Sequence, residues 1–148
     1  MRAVFLALHI IVGAAALVLG GLALTAAVRR HHSRQLLLTA YLWAVFATCL
    51  TGAVLSVLAW SRLWGIVPLA VLSYLLALAG YMAVRRGWPK WVVAHGLGGS
   101  YIALVTALLV VSARDISTTA EIVAWVLPVA VGVPLIVRAH TGNRAPAR

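Results

Sequence analysis

Five histidines are the residues of this sequence whose types and positions could do chemistry. His9 and His95 lie inside long apolar runs, His31 and His32 lie between two such runs, and His140 lies in a basic tail. A neutral imidazole is a common metal ligand, and an ionisable side chain inside a membrane span is by default a functional candidate. The candidate metal ligands are His9, His31, His32 and His95, and His9 and His95 are the candidates for binding a cofactor such as haem.

The expected depth of each histidine limits which of them can bind the same iron. At 1.5 Å per residue, His9 lies roughly 9 Å below the outer boundary of the apolar layer and His95 roughly 7 Å above the inner one. In a ~30 Å layer this leaves about 14 Å between them. Two axial imidazoles on one iron need ring nitrogens about 4 Å apart. We therefore expect His95 to pair with His31 or His32, and His9 to serve a second, outer site.

Glu121 and Tyr101 are the candidate catalytic residues. Glu121 and Asp115 are the two acids of the chain and the acids available to His9. Glu121 also has a structural interpretation, because it stands three residues after Thr118, in the spacing of a capping box with Thr118 as the N-cap. Tyr101 and Tyr74 are expected at mid-membrane depth, where a phenol can relay protons or electrons or simply pack in the core.

The elements that must position these residues are long apolar helices. Only 9% of the residues are charged and 64% are hydrophobic, whereas a soluble domain carries roughly a quarter charged residues. About 20 apolar residues cross a bilayer as a helix, and the sequence contains five such runs. It predicts an all-α integral membrane bundle with helices at 3–28, 36–60, 63–84, 91–111 and 119–137, followed by a basic tail at 138–148. Pro128 and Pro134 leave open whether the fifth helix is broken.

The basic residues indicate the orientation of the chain. Nine of the twelve Lys and Arg residues lie on one side of the predicted spans, and the positive-inside rule assigns that side to the cytoplasm. We expect a multi-pass protein of the cell membrane with its N-terminus outside and its C-terminus inside. The net charge is +10, but the basic residues lie in short clusters between apolar runs, which excludes a nucleic-acid-binding protein. The expected partner is the lipid bilayer.

Two stripes of small residues predict the packing faces of the first and fourth helices. Lipid tails are as apolar as the helices, so the hydrophobic effect does not drive helices together in a membrane. Small residues, which allow two helix backbones to approach closely, must hold the helices together. We expect both faces, together with their histidines, to point into the bundle. The stripes are His9, Gly13, Ala16 and Gly20 in the first helix and His95, Gly99, Ala103 and Thr106 in the fourth.

The fourth helix also carries a resemblance to a known group of proteins. The segment that starts His95-Gly-Leu-Gly-Gly-Ser-Tyr, followed by Trp125-Val-Leu-Pro and Gly132-Val-Pro, resembles an uncharacterised family of small bacterial membrane proteins with four to five helices. That family has histidines near the starts of helices one, two and four, which correspond here to His9, His32 and His95. The turn before helix two departs from the family pattern, because Ser33 separates His32 from the following arginine.

These observations lead to one leading hypothesis and two alternatives. The leading hypothesis is an intramembrane redox protein or oxidase that uses histidine-ligated iron, haem or non-haem, on a lipophilic substrate or quinol. One alternative is a non-enzymatic scaffold or regulatory subunit that binds a partner membrane protein or a second copy of the chain. The other is a small-solute carrier. The sequence has no CxxC, HExxH, GxSxG or P-loop motif, which would have indicated other chemistry.

Overall fold

The computed structural model describes residues 2–29, 34–58, 66–113 and 116–141, and these residues form five α-helices and no strand. Each helix is long and apolar enough to cross a membrane, which confirms the all-α bundle of five helices predicted from the apolar runs. The helices are α1 (Arg2–Arg29), α2 (Arg34–Leu58), α3 (Ile66–Arg85), α4 (Lys90–Ala113) and α5 (Thr118–Thr141).

The last helix is continuous through both of its prolines. Pro128 and Pro134 lie inside α5, which ends at Thr141, so residues 138–141 belong to the helix and not to a tail. A proline in a helix frees the carbonyl four residues earlier, and membrane helices tolerate this when local adjustments or neighbouring groups satisfy that carbonyl. Two such interruptions six residues apart do not break α5.

The N-cap of α5 is Ser117 and not the predicted Thr118. The Ala120 amide donates a hydrogen bond to the Ser117 Oγ at 3.1 Å, the N-cap to N3 pairing of a capped helix. The Glu121 amide donates to the Ser117 carbonyl at 3.0 Å, so Glu121 follows the N3 position by one residue. The predicted capping box is therefore wrong by one position, and the Glu121 carboxylate does not stand where a capping-box carboxylate stands.

A short turn after Arg85 makes α3 and α4 antiparallel neighbours. Gly87 has a φ of +67°, which glycine adopts without steric cost. The Trp88 amide donates to the Ala83 carbonyl at 2.8 Å, the long hydrogen bond of a Schellman motif. Pro89 then precedes α4, and its carbonyl accepts from the Val92 amide at 3.0 Å.

Helices α1 to α4 form a four-helix ring, and α5 packs outside it on α4. Around the ring, α1 contacts α2, α2 contacts α3, α3 contacts α4, and α4 closes the ring on α1. Half of the most apolar stretch of α4 is buried, but only 6% of that of α5. The central helix is therefore α4, and α5 turns most of its apolar surface outward.

Glycines decide how closely the helices approach. A Cβ placed on Gly96 of α4 would lie 2.5 Å from the backbone nitrogen of Gly80 in α3, so these two backbones are in direct contact. Gly20 of α1 accommodates two aromatic rings, because a Cβ there would meet Tyr101 at 2.7 Å and Tyr41 at 2.8 Å. Close backbone approach at small residues is the usual basis of helix association in membranes.

Of the two packing faces of small residues predicted for α1 and α4, the structure confirms the first completely and the second only in part. In α1, Ala16 and Gly20 are buried and the half-buried His9 lies against Gly52 of α2, so this face points inward as predicted. In α4, Ala103 is buried but His95 is exposed. The inward direction predicted for His95 is wrong, because the contact between Gly96 and α3 rotates the neighbouring position out of the bundle.

Candidate functional site

The best-defined histidine of the structure is His9, which joins α1 to α2. Its Nδ1 atom lies 2.9 Å from the Oγ1 of Thr51, and Thr51 is buried at 7% exposure. The sequence suggested an inward-facing His9, but it did not indicate the partner, because threonine also occurs at position 48 one helical turn earlier.

The hydroxyl of Thr51 bears on which nitrogen of His9 carries the proton. Its Oγ1 lies 2.8 Å from the Ala47 carbonyl and 3.1 Å from the Thr48 carbonyl, both within hydrogen-bond distance. A hydroxyl has one hydrogen to donate, so a Thr51 that donates to either carbonyl accepts the bond from His9, and Nδ1 is then the protonated nitrogen. In the neutral ring Nε2 then carries the lone pair, as in a metal-binding histidine that is oriented by a second hydrogen bond.

A glycine makes room for the His9 ring. A Cβ placed on Gly52 of α2 would lie 3.1 Å from the Cε1 of His9 and 3.7 Å from its Nδ1. Contacts of 3.1 Å are tighter than side chains normally make, so a larger residue at position 52 would push the imidazole away from Thr51. Gly52 and Thr51 therefore position the ring together, one by leaving space and one by hydrogen bonding.

Glu121 and His9 lie at the same level of the bundle. Helices α1 and α4 are antiparallel and meet at Gly20 and Tyr101, and α4 and α5 are antiparallel and meet at Ile102 and Gly132. His9 is eleven residues before Gly20, and Glu121 is eleven residues before Gly132, so both lie about 16 Å from these contacts towards the same end. We call this end of the molecule the His9 end. The catalytic role of Glu121 stays a prediction.

His95 lies towards the opposite end and faces outward. Its Nδ1 is 2.7 Å from the Trp91 carbonyl, so Nδ1 donates, and its ring meets the Trp91 indole edge-on with centroids 6.2 Å apart. Both contacts are made within α4, one turn back along the helix. The contacts of His95 with Trp91 thus lie within its own helix, whereas the contact of His9 with Thr51 joins two helices.

His9 and His95 are too far apart to bind one metal. From the contact between Gly20 and Tyr101, His9 is eleven residues away in one direction and His95 is six residues away in the other, which separates them by about 25 Å along the bundle. The sequence-based value of about 14 Å is too short because it took the helices to be as long as the ~30 Å apolar layer, whereas α1 has 28 residues. The exclusion of a metal shared by the two histidines is unchanged.

The proposed inner partners of His95 lie outside the described residues. His31 and His32 fall between α1 and α2, and Asp115, the other acid considered for His9, falls between α4 and α5. A ligand set of His95 with His31 or His32 therefore stays a prediction. Within the described ranges, no three His, Cys, Asp or Glu residues come together as a group that could hold a metal ion.

A buried hydroxyl network at the centre of the ring was not recognised from the sequence. The Tyr41 hydroxyl of α2 donates to the Ser100 Oγ of α4 at 3.0 Å, and the Ser73 Oγ of α3 lies 3.3 Å from the same oxygen. All three residues are at most 2% exposed. Tyr41 lies in an apolar run like the other tyrosines, so only the packing distinguishes it. A polar cluster of three helices stabilises the ring and fixes its register.

Tyr101 lies beside this network on the neighbouring position of α4. Its half-buried ring packs on Gly20 together with the ring of Tyr41. The packing interpretation of Tyr101 has direct support in this contact, and its role as a relay stays a prediction. Tyr74, the other tyrosine considered, packs on Phe46 with ring centroids 5.5 Å apart.

An apolar groove of about 170 Å³ runs between α2 and α3 at the level of His9. Phe46, Cys49, Ala70 and Tyr74 contribute to its wall, and the Cys49 thiol donates to the Ala70 carbonyl at 3.1 Å. Cys49 precedes Thr51 by two residues, so the groove and His9 lie on different sides of α2. The thiol behaves as a small core group that links the two helices.

Haem and non-haem iron need different numbers of protein ligands. Haem iron takes one or two ligands from the protein, so a single histidine such as His9 would be enough to hold it. A non-haem iron site takes several side chains, typically two histidines and a carboxylate, and no such group is formed by the part of the chain that the structure describes.

Comparison with known proteins identifies no relative: no protein-family model, no curated protein and no solved structure matches this chain.

Proposed function

We propose that this chain is a multi-pass redox protein of the cell membrane that binds haem through His9. Its N-terminus lies outside, and its substrate is a lipophilic electron donor of the quinol class. A haem bound here would supply one-electron chemistry, and the chain's own residues would orient it and handle protons.

The observation that carries the proposal is the hydrogen-bonded series from His9 through Thr51 to the Ala47 carbonyl. When the Thr51 hydroxyl donates to the Ala47 carbonyl, it accepts from Nδ1 of His9, and the lone pair is then on Nε2. Gly52 at the same time clears the space beside the ring.

Two further features lie at the level of His9: Glu121 on α5 and the apolar groove on the other side of α2. Oxidation of a quinol releases two protons, and the Glu121 carboxylate lies at the level of His9, where an oxygen of that group can accept one of them. The groove between α2 and α3 offers apolar side chains to an isoprenoid tail at the same level. Both features support a lipophilic substrate that enters from the bilayer.

The test is the absorption spectrum and haem content of the protein purified in detergent after expression with a haem precursor. We expect a Soret band and about one haem per chain, both lost in His9→Ala. Thr51→Val keeps the shape of the side chain but removes the oxygen that accepts the Nδ1 proton. Loss of such a hydrogen-bond partner of a metal ligand typically weakens metal binding 10–100-fold. Haem should therefore be released from Thr51→Val by dilution or by a haem-scavenging protein.

Two variants serve as matched controls. Thr48→Val removes a hydroxyl that bonds to the Ala44 carbonyl of its own helix, so its haem content should equal that of the wild type. His95→Ala removes the histidine of the other end and should leave this spectrum unchanged. A wild-type protein without colour or iron, or a His9→Ala protein that keeps its haem, would contradict the proposal.

The scaffold hypothesis predicts the opposite result of the same purification. In that case His9 and Thr51 act only as a polar contact between α1 and α2, and the outward apolar surface of α5, on which Ile122, Val126 and Leu135 are more than half exposed, is available to a partner membrane protein. The protein would then be colourless, and deletion of the His9 side chain would change only its stability.

A further inference from the structure

Cationic side chains from three neighbouring helices lie at one end of the bundle, opposite the His9 end. The Tyr81 hydroxyl of α3 makes side-chain contacts with Thr39 of α2 and with Arg85. Arg34 is five residues before Thr39 and Arg85 is four residues after Tyr81. Since α2 and α3 are antiparallel neighbours, both arginines lie about 6–8 Å beyond this contact, at the same level.

Lys90 joins them from the next helix. Gly80 of α3 and Gly96 of α4 are in backbone contact, Arg85 is five residues after Gly80, and Lys90 is six residues before Gly96. The ends of three neighbouring helices thus each place one cation at this level. We call Arg34, Arg85 and Lys90 the basic end.

The two arginines of the basic end are not equivalent. Arg34 is half-buried, and its Nε is buried with no hydrogen-bond partner among the described residues. A buried donor without a partner costs free energy, so a group that accepts its hydrogen would be stabilising. Arg85 is exposed and held by its own helix, with its guanidinium carbon 5.8 Å from the centre of the Tyr81 ring.

The described part of the chain offers these cations no counter-charge. Among the described residues the one acid is Glu121, which lies at the His9 end, and the second acid of the sequence, Asp115, follows α4 in the chain. Like charges close together repel. Within the described residues the basic end is thus without a compensating negative charge, and an anion from another molecule can supply it.

We propose that the basic end is a binding site for the phosphate of an anionic phospholipid, held by Arg34 and Arg85 with Lys90 beside them. A guanidinium forms paired hydrogen bonds with phosphate oxygens, and a lysine contributes a point charge. The same level carries the exposed indoles of Trp88 and Trp91, a residue type enriched at the headgroup level of bilayers. The cations therefore stand at a lipid headgroup and not in open water, which favours a lipid over free phosphate.

The experiment measures lipid binding to the full-length protein in a neutral detergent by native mass spectrometry and by its melting temperature. The probes are phosphatidylglycerol, phosphatidylcholine and inorganic phosphate. We expect retention of phosphatidylglycerol and a higher melting temperature with it, and neither effect with phosphatidylcholine or phosphate. Loss of one charge-assisted contact in Arg34→Gln should weaken binding about tenfold.

Arg138→Gln is the matched control, because it removes the same charge from α5, an exposed position outside the ring. It should bind phosphatidylglycerol like the wild type. Arg85→Gln provides a second loss of binding should Arg34→Gln fail to fold. Equal binding of phosphatidylcholine, an equal effect of inorganic phosphate, or equal losses in Arg34→Gln and Arg138→Gln would each overturn the proposal.

Discussion

Gly96 of α4 lies directly against the backbone of Gly80 in α3: a Cβ on Gly96 would come within 2.5 Å of the Gly80 nitrogen and 2.6 Å of its Cα. Backbone atoms cannot move aside as the end of a side chain can. This contact sets the distance between α3 and α4 and, through the rotation of α4, the direction of His95.

Gly96→Ala should be among the most damaging single substitutions in this chain. The added methyl group has to separate two helices, and overpacking of this kind typically costs about 1–3 kcal/mol. Gly21→Ala is the matched control, because a Cβ there has nothing within 4 Å and alanine is the better helix former. Thermal unfolding in detergent should show a clear loss for Gly96→Ala and none for Gly21→Ala. Equal melting temperatures would contradict the close contact.

The junction of α4 and α5 should tolerate a methyl group better and should be repairable. A Cβ on Gly132 would overlap the Cδ1 of Ile102, but it would lie 3.7 Å from the Ile102 Cβ. We expect Gly132→Ala to destabilise less than Gly96→Ala, because a flexible side-chain end can shift. The double variant with Ile102→Ala should be more stable than the sum of the single effects, by roughly 0.5–3 kcal/mol in a double-mutant cycle. Additive effects would rule out this packing.

Tyr41→Phe should weaken the bundle by about 0.6 kcal/mol and by no more than about 1.7, the range of hydrogen bonds between membrane helices. The hydroxyl that is lost donates to Ser100. Ser100→Ala in the Tyr41→Phe background should then add less than it does alone, since the two residues share one bond. Tyr74→Phe is the control for the loss of a tyrosine hydroxyl at another site, because the Tyr74 ring packs on Phe46. Unfolding measurements of the four variants would give the coupling free energy between Tyr41 and Ser100.

If all five helices cross the bilayer, the two ends of the chain lie on opposite faces of the membrane. We expect a reporter active only in the cytoplasm to work when it is fused after residue 148 and to fail when it is fused before residue 1, because most of the Lys and Arg residues lie on the C-terminal side. Activity of both fusions would mean that one of the five helices does not cross.

Part of the site could be predicted from the sequence because it depends on residue type. Histidine inside an apolar run is rare enough to be informative, so His9 and His95 could both be named in advance. Tyr41 could not, since it is one of four tyrosines, and its role depends on Ser100, which is 59 residues away in the chain. Thr51 could be recognised as a polar contact but not as the partner of His9.

The sequence by itself determined the five apolar helices of the described residues, because runs of that length and composition are typical of helices that can cross a lipid layer. The tertiary structure alone decided which way each side chain points. Apolar residues surround α1 and α4 almost evenly, so no amphipathic pattern distinguishes their faces. Adjacent residues differ by about 100° around a helix, and the contacts of Gly96 with Gly80 and of His9 with Gly52 select one rotation. His9 consequently faces a neighbouring helix and His95 faces outward.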